Sequence, residues 1–119
     1  MKLIFVGDAS MNRTHVVLRQ VKDADGSRLL EASVTANGDV LIEGHDFGDG
    51  VERVFGVREY EWAWTIPSAS IPSLLHALGA TDNVLFALKE QFSGDNATLL
   101  SSFLEANEIP TERWSRLGD

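Results

Sequence analysis

The chain has no cysteine. That excludes a disulfide framework, a thiolate zinc site and a cysteine nucleophile, and it agrees with a cytoplasmic setting. Long hydrophobic runs are missing too. Leu3-Ile4-Phe5-Val6 is too short for the apolar region of a signal peptide or for a membrane span, and it reads as a first strand. Bases are scarce: 10 Lys and Arg stand against 18 Asp and Glu, a net charge of −8. Sequence-independent binding to DNA or RNA rests on cations meeting phosphates, so nucleic acid is set aside as a partner. There is no Gly-x-Ser-x-Gly elbow, no phosphate-cradling glycine loop with a lysine, and no Gly-x-Gly-x-x-Gly after a strand. Repeats, low-complexity tracts and interdomain linkers are absent as well.

What is present is an ordinary globular composition, 44% hydrophobic and 24% charged. A chain of 119 residues fits one domain whose core needs no metal or disulfide. Met11 marks an alternative start, so residues 1–10 can be read as an N-terminal extension. Acids are densest over 39–61, where Asp39, Glu43, Asp46, Asp49, Glu52, Glu59 and Glu61 face only Arg53 and Arg58. A field of that sign steers cationic partners.

One stretch divides the chain. Arg58 to Pro67 holds the only Tyr and two of the three Trp. With period 2, Tyr60, Trp62, Trp64 and Ile66 fall on one face and Glu59, Glu61, Ala63 and Thr65 on the other, the pattern of a half-buried strand. Pro67 cannot donate to a ladder and ends it. Trp62 and Trp64 read either as core anchors or as a binding platform, and the two roles coexist if one indole is only partly covered.

Before that stretch the sequence reads as strands. Thr14–Val21 is β-branched, Lys22–Ser27 is turn chemistry, and Arg28–Ala36 alternates with Leu30, Ala32, Val34 and Ala36 on one face. Asn37-Gly38 is a hairpin signal, and Asp39–His45 returns with Val40 and Ile42 inward. Gly44–Gly50 reads as a loop or bulged edge, and Val51–Val57 as a short strand or irregular crossing. After Pro67 the period becomes 3.6. Ile71, Leu74, Leu75 and Leu78 make one helix face, with Pro72 in the first turn and Gly79 at the end. A second helix runs from Thr81 or Asp82 to Phe92, and a third from about Asp95 to Asn107 with Leu99, Leu100, Phe103 and Leu104 inward. Thr111–Leu117 is a short final element, either docked by Trp114 and Leu117 at i and i+3 or left as an exposed recognition tail. Strands grouped first and helices after predict an α+β domain: an antiparallel meander of four or five strands with about three C-terminal helices on one face.

Candidate chemistry is sparse. His45, Asp46 and Asp49 are the one local cluster of imidazole and carboxylates, but they have no recognised metal spacing and no second His nearby, so no metal or cofactor is expected. Asp23-Ala24-Asp25-Gly26 opens like a calcium loop, yet Arg28, Leu29 and Leu30 follow where oxygen ligands are needed. His15 and His76 are isolated. A helix-turn-helix reader needs a basic recognition face, and the helical half offers only Lys89 within it and Arg113 and Arg116 beyond.

Glu59-Tyr60-Glu61-Trp62-Ala63-Trp64-Thr65, the proline-containing leucine helix after it and the terminal Trp114-Ser115-Arg116-Leu117-Gly118-Asp119 resemble a group of small uncharacterised bacterial proteins of actinobacterial type. The likeness spans roughly residues 14–119. It implies a bacterial, cytoplasmic, stand-alone domain and brings no activity or catalytic residue with it.

The function expected is a non-enzymatic acidic protein–protein interaction domain, immunity- or inhibitor-like, facing a partner with a basic surface. Glu59 and Glu61 would carry the contact, with Asp46, Asp49 and Glu52 from the adjoining loop. The alternative is a small-molecule binder or minor enzyme with a pocket between sheet and helices. There Trp62 or Trp64 would form the wall, and His45 with Asp46 the polar end. A homodimer through a sheet edge or aromatic patch fits either reading. No membrane partner is expected.

Overall fold

The computed structural model describes residues 15–118. The strand expected at 3–6 and the reading of residues 1–10 as an extension lie outside the described residues. Within these residues five strands make one antiparallel meander in chain order: β1 (His15–Asp23), β2 (Gly26–Val34), β3 (Val40–Phe47), β4 (Glu59–Ile66) and β5 (Glu112–Gly118). The helices are α1 (Asp49–Phe55), α2 (Ile71–Leu78), α3 (Val84–Gln91) and α4 (Leu100–Ala106), with 3-10 turns at Ser68–Ser70 and Gly94–Leu99. The fold is α+β, as the grouping of periods predicts.

Register sorts the side chains onto two faces. Ala32 of β2 lies opposite Ile42 of β3, which lies opposite Trp64 of β4, and Val40 pairs with Ile66. These apolar residues form one core with Leu74 of α2, Leu85 and Leu88 of α3, and Leu100 and Leu104 of α4. Leu18 joins them although it sits where the β1–β2 register slips between Val17 and Arg19. An extra residue at a bulge re-aims its neighbours, here turning Leu18 into the core. Among the described residues no helix is long and apolar enough to cross a membrane.

α2 obeys its sequence signals, with Pro72 in its first turn and Gly79 closing it at φ 71°. α3 starts later than the periodicity suggests. Asn83 takes a left-handed conformation at φ 53°, and its side-chain oxygen accepts from the Phe86 N–H at 3.3 Å. A local side-chain bond of this kind competes with helix continuation and sets the boundary. The third helix is split, because residues 94–99 wind as a 3-10 turn. Three residues per turn shift the phase, so Leu99 ends 55% exposed instead of inward.

Two stretches differ in type from expectation. Residues 51–57 are not a strand: α1 covers most of them, with Asp49 and Glu52 in its first turn and Gly56 closing it at φ 80°. Only Val51 of this helix is buried, so the segment has too little apolar face to register as a 3.6 period. The glycine-rich loop is also shorter than expected, since β3 continues through Phe47. Gly48, at φ 125°, packs backbone to backbone on the β1–β2 turn, where a Cβ would lie 2.6 Å from Gly26 Cα. That close approach accounts for glycine at both positions.

The final element is strand β5, which pairs with β4 through Ser115 opposite Trp62. Trp114 and Leu117 are therefore not docking anchors and are 54% and 48% exposed. Residues three apart share a helix face but lie on opposite faces of a strand. Their spacing suggested a stripe that the chain does not form.

Candidate functional site: two faces of β4

Among the described residues no helix covers one face of the sheet. His45 of β3 stands directly opposite Glu61 of β4, Glu31 of β2 opposite Glu43, and Trp114 and Arg116 of β5 opposite Ala63 and Glu61. Glu59 and Glu112 lie on the same side by alternation. The groups are tied locally. His45 Nε2 donates to Glu59 Oε2 at 2.7 Å, His15 and Glu31 are 2.8 Å apart, and Arg116 donates to Glu61. The hydrogen bond from Arg116 holds the Glu61 carboxyl below its ordinary range, with the attraction of Arg116 and His45 adding to it. A shallow hollow of about 220 Å³ lies at the centre, lined by Glu31, Glu43, His45, Glu61 and Trp114.

The aromatic face is covered only in part. Phe55 of α1, Tyr60 and Trp62 form a stack with ring centroids 5.1 and 5.2 Å apart. The Trp62 indole lies flat over Gly44, where a Cβ would fall 2.0 Å from the ring. Trp62 and Trp64 are half-buried and pack against the core, yet with Tyr60, Arg113 and Ser115 they also line an open groove of about 370 Å³. The Arg113 guanidinium sits 4.6 Å from the centroid of the Trp64 ring. Among the described residues the buried Trp62 Nε1 has no hydrogen-bond partner. The indoles thus pack against the core and are also open to a groove.

The residues singled out in the sequence divide between these faces. Glu59 and Glu61 do point away from the aromatics, with His45 beside them. Asp46 does not join them, because it stands opposite Tyr60 on the aromatic side. Burial pushes its carboxyl up, against the opposing pull of Arg28, His45 and Arg19. Asp49 and Glu52 belong to α1 and both accept from Arg58, at 2.7 and 3.2 Å. The single acidic cluster expected from the sequence is therefore split across the sheet. So is the polar end imagined for a pocket, since His45 and Asp46 are adjacent in a strand and face opposite ways. Sheet and helices meet in a packed core, and the groove lies beyond the helices at β4 and β5.

Glu31, Glu43, Arg113, Trp114 and Arg116 complete the two surfaces: Glu31 had not been named as a candidate, Glu43 only as part of the acidic stretch, Arg113 and Arg116 only as bases beyond the helices, and Trp114 as a dock or exposed tail rather than as part of a sheet face. Glu112-Arg113-Trp114-Ser115-Arg116 carries no period-2 alternation of apolar and polar residues, and the chain's return to the sheet after three helices has no local signature. Compared with family models, curated proteins and solved structures, the chain matches none of them.

Proposed function

We propose that this chain is a non-enzymatic interaction domain that presents the uncovered face of its sheet to a protein with a basic surface, in the manner of an immunity or inhibitor protein. One observation supports the reading above others. Glu31, Glu43, Glu59, Glu61 and Glu112 share a face with Arg116 of the edge strand β5, and Trp114 stands exposed beside them. Long-range attraction would speed encounter and select the partner, and Trp114 would supply a desolvated anchor. Intramolecular pairs temper the field without cancelling it, since Glu43 and Glu112 are exposed and, among the described residues, no cation pairs with either. The resemblance to small actinobacterial-type proteins brings no activity, so the reading rests on geometry. A bacterial cytoplasmic setting goes with it.

The test is a charge-reversal comparison. Wild-type protein, a Glu43→Lys/Glu61→Lys variant and a Glu90→Lys control on α3 are used as bait for basic proteins at low and high salt. Capture that is salt-sensitive, lost in the double variant and kept in the control supports the reading. Equal loss in both variants, or none in either, overturns it.

The groove lined by Tyr60, Trp62, Trp64, Arg113 and Ser115 favours a second reading, a small-molecule binder with an aromatic wall. A co-purified ligand that quenches tryptophan fluorescence in the wild type but not in Trp64→Ala would shift the assignment to it.

A further inference from the structure

We infer that His45, Glu59 and Glu61 form a binding site for a divalent first-row transition ion on the open face of the sheet. Their donor atoms all lie within 4.8 Å of one another. The register makes this arrangement: His45 is directly opposite Glu61, and Glu59 is the diagonal neighbour two residues along the same strand. β3 and β4 are both interior strands, flanked by β2 and β5. Ladders on either side hold the three Cβ positions, so the donors are mounted on rigid backbone rather than on a loop.

The chemistry of the set selects the ion. One imidazole nitrogen and two carboxylates suit zinc and its neighbours, whereas calcium and magnesium want oxygen donors alone. Bonds of about 2.0–2.1 Å put tetrahedral donors roughly 3.3 Å apart. The 2.7 Å contact between His45 and Glu59 must therefore open slightly while Glu61 closes in. Two carboxylates neutralise the dication, and binding at Nε2 displaces the proton that now bridges to Glu59. The three side chains are 42%, 26% and 32% exposed in the order His45, Glu59, Glu61, so an ion has access and a fourth position is left for water. Glu31 and Glu43 line the adjoining hollow with His45 and Glu61, and their negative potential draws a cation towards it.

Arg116 is the competitor. It donates from β5 to Glu61 Oε1 through both Nε and a terminal nitrogen, which leaves Oε2 to an ion but sets a positive charge against its arrival. The site is thus guarded by a cation of its own chain, which distinguishes it from a passive hydrogen-bonded pair. Ion uptake is read on the purified protein alone, so the inference does not depend on the proposed partner.

The full chain is titrated with Zn²⁺ alone by calorimetry and by competition with a chromophoric chelator, with Mg²⁺ and Ca²⁺ as comparisons. One Zn²⁺ per chain is expected, with neither comparison ion displacing it. Affinity should fall at least about tenfold in His45→Ala and in the milder Glu59→Gln. It should rise several-fold in Arg116→Gln, which removes the opposing charge beside Glu61, and stay unchanged in His15→Ala. Far-UV circular dichroism checks that each variant is folded, and the ring signals of His45 by NMR give a second readout on the wild type. No uptake, uptake indifferent to His45→Ala, or weaker binding in folded Arg116→Gln would each overturn the inference.

Discussion

The two faces of β4 are built from alternate residues of one eight-residue strand, yet they do different work. One carries Tyr60, Trp62, Trp64 and Ile66 against core and groove, and the other Glu59, Glu61, Ala63 and Thr65 towards solvent. On the first face apolar area is removed from water at about 25 cal/mol per Å², so that face carries stability. On the second, exposed pairs such as Glu61 with Arg116 add little stability, because water and salt screen them. What they can set is which partner or ion approaches. A strand in this sheet is therefore a divider, and neighbours in sequence serve separate roles.

The sharpest way to break that comparison is at adjacent residues of β3. Ile42→Ala removes a fully buried side chain and should cost about 2–5 kcal/mol in chemical denaturation. Glu43→Ala, one residue on and facing solvent, should stay within about 0.5 kcal/mol. Similar losses at both positions would mean that the open face is not open.

Gly44 tests the seam between the faces. A methyl group there meets the Trp62 ring at 2.0 Å, so the indole must move. Gly44→Ala should destabilise by about 1–3 kcal/mol and shift the tryptophan emission together with the transition. An unchanged spectrum would place Trp62 elsewhere.

The faces should also respond oppositely to pH. Asp46 has a raised folded pKa, so the folded state holds its proton more tightly than the unfolded one. Its ionisation costs stability above that raised value, and the cost fades as pH falls through the window down to the ordinary aspartate range. Glu61 is lowered by Arg116, so its stabilisation is present above the ordinary glutamate range and is lost as pH falls through the folded value. In stability profiles over the acid range, Asp46→Asn should remove a component that rises towards low pH, and Glu61→Gln one that falls. Loss of components of the same sign would contradict the burial of one and the pairing of the other.

The smallest stability effect is expected at Trp114. Although large and aromatic it is 54% exposed, so Trp114→Ala should change unfolding by no more than about 0.5 kcal/mol. Capture of a basic partner should nevertheless weaken clearly. A large stability loss instead would make Trp114 a structural anchor.

Period 2 and period 3.6 patterns made the first three strands, β4 and α2 legible, because each is long enough to show its buried side repeatedly. α1 escaped because only Val51 of its seven residues is buried. β5 escaped because every residue of it but Gly118 is exposed, and its partner β4 lies about 50 residues earlier. The candidate site was half legible. Glu59, Glu61 and the indoles could be assigned to opposite sides by alternation alone. Asp46, Asp49 and Glu52 could not be kept apart from them, since closeness along a chain says nothing about which side of a sheet a side chain occupies.

By itself the sequence determined the alternation within each strand, the stripe on α2, the glycine turns and the excess of acid, since all of these follow from steric preference and transfer free energy acting on near neighbours. Only the tertiary structure decided which strands lie side by side. That choice brought His45 against Glu61, laid Trp62 over Gly44 and delivered Arg116 to Glu61 from the far end of the chain. Register is set by the packing of the whole buried face, and a slip of one residue would send every side chain of a strand to the other side.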